Sequence, residues 1–266
     1  MFGNFQYQLQ NEEYGAILDS PAEIVVVDID DAKFTAEQVA AVAGTKAILS
    51  YLSIGQASRI RWYWDDDWVD GDGDPIPGQA PSWLGPKNAE WDGAYEVRYW
   101  EPAWRAILME GIDRILARGY AGVVYDVVDA FTKWGSVPSP QEKMKRLVME
   151  LMNYGRAQSA AYIGIPNSGY QLLLDTTYVS AISAQLGESV FYLDGAPRPP
   201  GDTAWATNYL DRVTAAGKQV FVLEYMIPTQ TRKLAIAKAR AKGYVPYPTT
   251  RALDTLEPVW QAYQAL

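Results

Sequence analysis

Eight short apolar runs rich in β-branched residues recur along the chain, at Phe5–Gln10, Ile24–Ile29, Ala47–Ile54, Gly122–Asp126, Ala161–Ile165, Ala181–Leu186, Gln219–Glu224 and Gly243–Tyr247. Runs of this kind predict strands, and continuous apolarity predicts that both faces are covered, as in a parallel sheet. Between several of them the apolar spacing changes to three and four residues. Pro102 opens such a segment, with Trp104, Ile107, Leu108, Ile112, Ile115 and Leu116 on one face and Gly119 as its stop. Ser139 and Glu142 flank Pro140 as a capping box ahead of Met144, Leu147, Val148 and Leu151. Further helical patterns cover about Thr203–Ala216, Thr231–Lys242 and Leu253–Leu266.

Eight strands with helices between them, in about 250 residues, make the arithmetic of an α/β fold of the TIM-barrel, (β/α)8 type. A doubly wound open sheet is the alternative, but no G-x-G-x-x-G fingerprint follows the first strand. With no linker-like stretch and no internal repeat, residues 1–266 read as a single domain.

One segment breaks the rhythm. Residues 56–100 form a long loop between strand three and its helix, far beyond an ordinary βα connection. It carries Trp62, Trp64, Trp68, Trp83, Trp91 and Trp100, six of the ten tryptophans. Its nine Asp/Glu against four Lys/Arg supply more than half of the net charge of −9. In a barrel this loop lies on the catalytic face.

Composition then narrows the chemistry. The 266 residues include no His and no Cys, which removes imidazole bases, thiolate nucleophiles, disulfides and Cys/His zinc sites. Catalysis would fall to carboxylates. The acidic balance argues against phosphate-backbone binding and so against a nucleic-acid partner. No stretch reaches the ~20 apolar residues of a membrane span, and the start MFGNFQYQLQ lacks the order of a signal peptide.

Strand ends supply the candidates. Asp28 and Asp30 end strand two, Asp126 ends strand four with Asp129 just beyond, Glu188 follows strand six and Glu224 ends strand seven. Asp126 closes a run too apolar to be anything but a barrel strand, which brings its carboxylate out at the rim. Asp129 reads equally as a turn residue, and Asp28 as an ion-pairing group across the barrel mouth. Two carboxyls from different strands, with aromatics around them, are the apparatus of glycosidic cleavage. The run Asp70-Gly-Asp-Gly-Asp74 has Pro75 and Pro81 where an EF-hand needs Gly and Glu, so it reads as a solvated turn.

Four ordered motifs carry a family resemblance: Tyr51-Leu-Ser-Ile-Gly55, Pro81-Ser-Trp-Leu-Gly-Pro86, Arg98-Tyr-Trp100 and Gly122-Val-Val-Tyr-Asp-Val-Val-Asp129. With Tyr7-Gln-Leu-Gln10 before them and Glu224-Tyr225 after, the chain resembles glycoside hydrolase family 114, the endo-α-1,4-polygalactosaminidases, and related barrel proteins. The resemblance implies hydrolysis of an α-1,4-linked galactosamine polysaccharide, outside the cell, without metal or organic cofactor, and the chain is expected to act as a monomer. It implies Asp126 as nucleophile and Glu188, in Glu188-Ser-Val-Phe-Tyr192, as proton donor. Tyr51, Gln56, Arg98, Tyr99, Trp100, Asp129, Asn167, Tyr192, Glu224 and Tyr225 are the expected cleft-lining, substrate-binding residues. Asn167, in Ile-Pro-Asn-Ser-Gly169, reads equally as a turn residue. One departure stands out: the family reads Gly-Glu-Ala-Glu after strand three, where this chain has Gln56 and Ser58. Two carboxylates are missing there, so a changed sugar preference, or a barrel that binds carbohydrate without cleaving it, is the alternative.

Overall fold

The structure, a computed structural model, describes residues 1–225 and 228–264. Eight parallel strands occupy the eight apolar runs: β1 (Phe5–Tyr7), β2 (Ile24–Val27), β3 (Ala47–Ser53), β4 (Gly122–Asp126), β5 (Ile163–Pro166), β6 (Ala184–Glu188), β7 (Gln219–Tyr225) and β8 (Val245–Thr249). β1 to β5 pair in sequence order in one sheet and β6 to β8 in another. An Asn167–Leu186 bridge joins β5 to β6. At the other seam Leu9 and Gln10 donate backbone N–H groups to the Leu253 carbonyl at 2.8 and 3.2 Å. Ladder pairing is thus broken at two places, while the strands follow one another around a (β/α)8 ring.

Two apolar layers hold this ring. Inside it Phe5, Ile24, Val26, Leu49, Val124, Ile165, Leu186, Phe221 and Tyr247 are buried together, with Phe5 packed edge-on against Phe221 at 4.9 Å. Outside it the alternate strand residues meet the helices Pro102–Ala117, Pro140–Gln158, Pro200–Ala215 and Thr229–Ala241. Leu147, Val148, Leu151 and Met152 form one such buried stripe. Strands buried on both faces explain why their sequences are apolar runs rather than alternations.

Several expectations need correction. Ser139 has φ 51° and its side chain caps nothing, so there is no capping box, and Pro140 opens the helix as its first residue. The expected last helix, 253–266, reduces to a 3-10 turn at Trp260–Gln264, its final two residues lying outside the described ones. The helices Tyr14–Asp19, Ala36–Val42 and Thr176–Ala181 are too short to register a period in the sequence. The segment 56–100 is more than a loop: Gln56–Ser58, Ala94–Val97 and Leu84–Lys87 form an antiparallel sheet, in that order, over the barrel mouth. Its own Ala57, Leu84, Tyr95 and Val97 are buried.

Candidate active site

At the carboxyl ends of the strands lies a cleft of about 530 Å³, in the size range of small-molecule sites. Its floor is set by three adjacent strands. Asp126 is the last residue of β4, Asn167 follows β5 and Glu188 is the last residue of β6. The Asn167 side chain is 2% exposed, and its Nδ2 donates to Asp126 Oδ1 at 2.8 Å and to Glu188 Oε1 at 2.7 Å. Two oxygens sharing one nitrogen cannot be farther apart than those two bonds end to end, about 5.5 Å. This upper bound on the two facing oxygens is shorter than the ~6.5–9.5 Å that leaves room for a water between two carboxyls.

The chain turns sharply just past each of these residues. Val127, Ser168 and Ser189 have φ values of 58°, 62° and 48°, in the left-handed region that non-glycine residues rarely occupy. For β-branched Val127 this costs on the order of 1–3 kcal/mol, which the surrounding structure must enforce. Part of the enforcement is visible: the Ile54 N–H donates to the Asp126 carbonyl at 3.0 Å, and Gly55 lies so close that a Cβ there would stand 2.1 Å from the Val127 carbonyl oxygen. The Tyr-Leu-Ser-Ile-Gly motif thus ends in glycine because the β4 turn occupies the space of a side chain.

Electrostatics acts on Glu188. Burial, reinforced by the negative charge of Asp126, pushes Glu188 up to about 7, while the Asn167 amide and the neighbouring Tyr225 hydroxyl oppose the rise. A carboxyl with this pKa is protonated for part of the time near neutrality and can donate a proton. Tyr7, Tyr51 and Tyr225 surround the pair, and burial holds their phenols neutral. Asp129 stands exposed at the lip, its pKa raised by desolvation within the cleft and by Asp126.

Of the expected substrate-binding residues, the cleft is lined by Tyr51, Gln56, Asp129, Asn167 and Tyr225, together with Asp126 and Glu188. Five others lie elsewhere. Glu224 is 0% exposed, and its carboxylate accepts the Phe191 and Tyr192 N–H groups at 2.9 and 3.0 Å, fixing the turn after β6. Tyr192 is buried beneath the Lys238 ammonium, 5.0 Å from its ring. Arg98 donates to the Ser82 and Leu84 carbonyls at 2.8 and 2.7 Å. Tyr99 donates to the Pro140 carbonyl at 2.7 Å, and Trp100 packs between Tyr99 and Trp134. These three bind the cap to itself and to the helix Pro140–Gln158.

Sequence reasoning missed Tyr7, Arg61, Trp91 and Arg251, which also line the cleft. Tyr7 carried a signal in Tyr7-Gln-Leu-Gln10, and Trp91 one in the tryptophan-rich segment over the catalytic face. Arg61 Nη1 and Nη2 clasp the Asp28 carboxylate at 2.7 and 2.6 Å and Nη1 reaches Asp30 at 3.1 Å, so Asp28 does pair across the barrel mouth. Arg251 pairs with Asp194 at 3.1 Å. Both lining guanidiniums therefore have carboxylate partners, whereas Asp126, Asp129 and Glu188 form no ion pair among the described residues. The cleft is left with an excess of negative charge. Asp70, in the acidic run, accepts the Asp72 and Asp74 N–H groups and closes its own turn.

Comparison with known proteins gives a family and a fold. A family model described as "Glycoside-hydrolase family GH114" matches residues 2–264. An uncharacterized protein of Deinococcus radiodurans is 34% identical over 247 residues, spanning 91% of this chain and 77% of its own. The fold is shared with the glycoside hydrolase domain of PelA from Pseudomonas aeruginosa, with a TM-score of 0.75, 21% identity, and 96% and 97% of the two chains covered. It is shared equally with Aspergillus fumigatus Ega3, solved in complex with galactosamine, with a TM-score of 0.74, 16% identity, and 97% and 95% covered.

Proposed function

The chain belongs to glycoside-hydrolase family GH114, and from that premise we propose that it cleaves an α-1,4-linked, galactosamine-type polysaccharide with retention of anomeric configuration. The observation that carries the proposal is the Asn167 amide holding Asp126 and Glu188 within about 5.5 Å. Glu188, protonated, gives its proton to the departing glycosidic oxygen while an Asp126 oxygen attacks the anomeric carbon. The C–O bond to the leaving sugar breaks as the bond to Asp126 forms. Glu188, now ionised, then takes a proton from water, which displaces Asp126 and restores both groups. Each step uses one protonation state of Glu188, which a pKa near 7 makes accessible in turn.

The substrate class follows from charge. A cleft whose two guanidiniums already have carboxylate partners presents the Asp126 and Asp129 carboxylates to an incoming ring. An ammonium-bearing sugar complements it, and tyrosines supply surfaces for the C–H faces. Such a polymer would be met outside the cell.

The test is release of reducing ends from α-1,4-galactosamine, N-acetylgalactosamine and glucosamine polymers. The expected result is turnover of the galactosamine polymer, lost at least ~10²-fold in Asp126→Asn and Glu188→Gln. Binding without reducing-end release would overturn the proposal and favour a carbohydrate-binding barrel, the reading that Gln56 and Ser58 raise.

A further inference from the structure

Five of the six cap tryptophans are spent on packing. Trp62 stacks with Tyr63 and carries the Arg114 guanidinium, Trp64 packs with Trp68 and Tyr95, Trp68 and Trp83 meet edge-on, and Trp100 packs with Trp134. Trp91 is the exception. It has no aromatic or cationic partner among the described residues, is 57% exposed, and still lines the cleft. Its indole stands open in the wall of the site, free to meet a ligand.

The segment carrying it is built to hold it there. Trp91 lies in the turn between the cap strands Leu84–Lys87 and Ala94–Val97. The Asn88 side-chain oxygen accepts the Glu90 and Trp91 N–H groups at 2.7 and 3.1 Å, and the Trp91 carbonyl accepts the Ala94 N–H at 3.2 Å. Asn88 Nδ2 also reaches Glu96 Oε1 at 3.4 Å, the same oxygen that accepts Gln56 Nε2 at 3.2 Å. Gln56 lines the cleft. A polar chain therefore runs from the cleft through Glu96 to the turn that presents Trp91. Beside the indole, the Asp92 side chain is 98% exposed and pairs with Lys87 at 3.6 Å, a weak surface pair.

We propose that Trp91, with Asp92, is a sugar-stacking platform at the outer lip of the cleft, taking a galactosamine ring distinct from those on either side of the cleaved bond. The C–H face of the ring lies on the indole, its ammonium is attracted to the π face, and Asp92 adds a carboxylate within the same turn. Asn88 is a positioning residue, acting through the turn it holds. The idea rests on the proposed substrate, and it assigns chain-length preference to the cap rather than to the catalytic floor.

The experiment measures calorimetric affinity for α-1,4-galactosamine oligomers of increasing length, and KM and kcat on the polymer, for wild type, Trp91→Ala, Trp91→Tyr and Asp92→Asn. Trp91 is exposed, so these variants keep the fold, which circular dichroism checks. The expected result is about tenfold weaker binding of long oligomers to Trp91→Ala, near 1.4 kcal/mol. KM on the polymer rises while kcat holds, binding of the shortest oligomers is unchanged, and Trp91→Tyr restores most of the loss. Equal affinity of wild type and Trp91→Ala for every length overturns the platform while leaving cleavage standing. Tight binding lost in Trp91→Ala, without turnover by wild type, overturns cleavage while leaving the platform. No binding of any amino-sugar oligomer by wild type overturns both.

Discussion

Asn167 is the residue on which the floor depends, because its single amide nitrogen serves two carboxylates. Hydrogen bonds to charged groups contribute about 1.5–3 kcal/mol each. In Asn167→Ala both bonds are lost, and Glu188 loses a group that holds its pKa down. The expected outcome is a kcat reduced roughly 10- to 100-fold. The alkaline limb of the kcat/KM profile should also move to higher pH, since removing a donor favours the protonated form. A pH–rate profile of the variant checks it: an unmoved limb would mean that Asn167 only fills space. At this scale the sequence was partly readable. Asp126 ends a recognisable apolar strand, whereas Glu188 lies two residues past the expected end of strand six and was marked only by the family motif Glu188-Ser-Val-Phe-Tyr192. Arg98, Tyr99 and Trp100 sit past the end of a cap strand that no periodicity announced, so nothing in the sequence told which of them faced the cleft. Glu224 ends a strand as Asp126 does, but two backbone N–H groups claim it, and no pattern along the chain reveals such partners.

At the scale of elements, β3 and β4 are coupled through one close approach. A methyl at Gly55 would meet the Val127 carbonyl at 2.1 Å and the Ala130 Cβ at 2.6 Å. Neither atom can move without moving the turn that carries Asp126. Gly55→Ala is therefore expected to lower stability by about 1–3 kcal/mol and to reduce kcat more than it raises KM, because a misplaced nucleophile affects the reaction more than binding. Denaturant unfolding and steady-state kinetics measure the two effects; a variant with wild-type kcat would show that the β4 end tolerates the shift. All eight barrel strands were legible because burial on both faces writes them as apolar runs, and the long helices because four or five turns establish a period. The helices Tyr14–Asp19, Ala36–Val42 and Thr176–Ala181 span one or two turns, too few to do so. The cap sheet was hidden for another reason: its three strands of three or four residues are set among tryptophans and aspartates whose pairing is decided by long-range packing.

For the molecule as a whole, buried carboxyls tie stability to pH. Burial raises Glu188 and Glu224 from an ordinary 4.5 to about 7. Between these values the folded chain holds protons that the unfolded chain has released, so unfolding free energy falls as pH rises. That stability is fully present below about pH 4.5 and lost through about pH 7. Calorimetric unfolding of wild type and Glu188→Gln across this window should show a smaller decline in the variant, which no longer titrates there. Identical slopes would mean that Glu188 titrates alike in the folded and unfolded chains. With its pKa raised by burial, the same group sets opposing demands, since the site that needs Glu188 buried to donate a proton is least stable once it has been given up.

The left-handed residues at 127, 168 and 189 have a further consequence. Each turns the backbone immediately beyond an acting side chain, so the positions of Asp126, Asn167 and Glu188 are settled by strand ends and a single residue more. Whatever follows is upholstery over a finished frame. A grafted 59–93 segment, with its indole and carboxylate replaced by other surfaces, could meet a different polymer while the proton donor and nucleophile stayed where they are, which makes the cap the natural unit for recombination and the strand termini the part to leave alone.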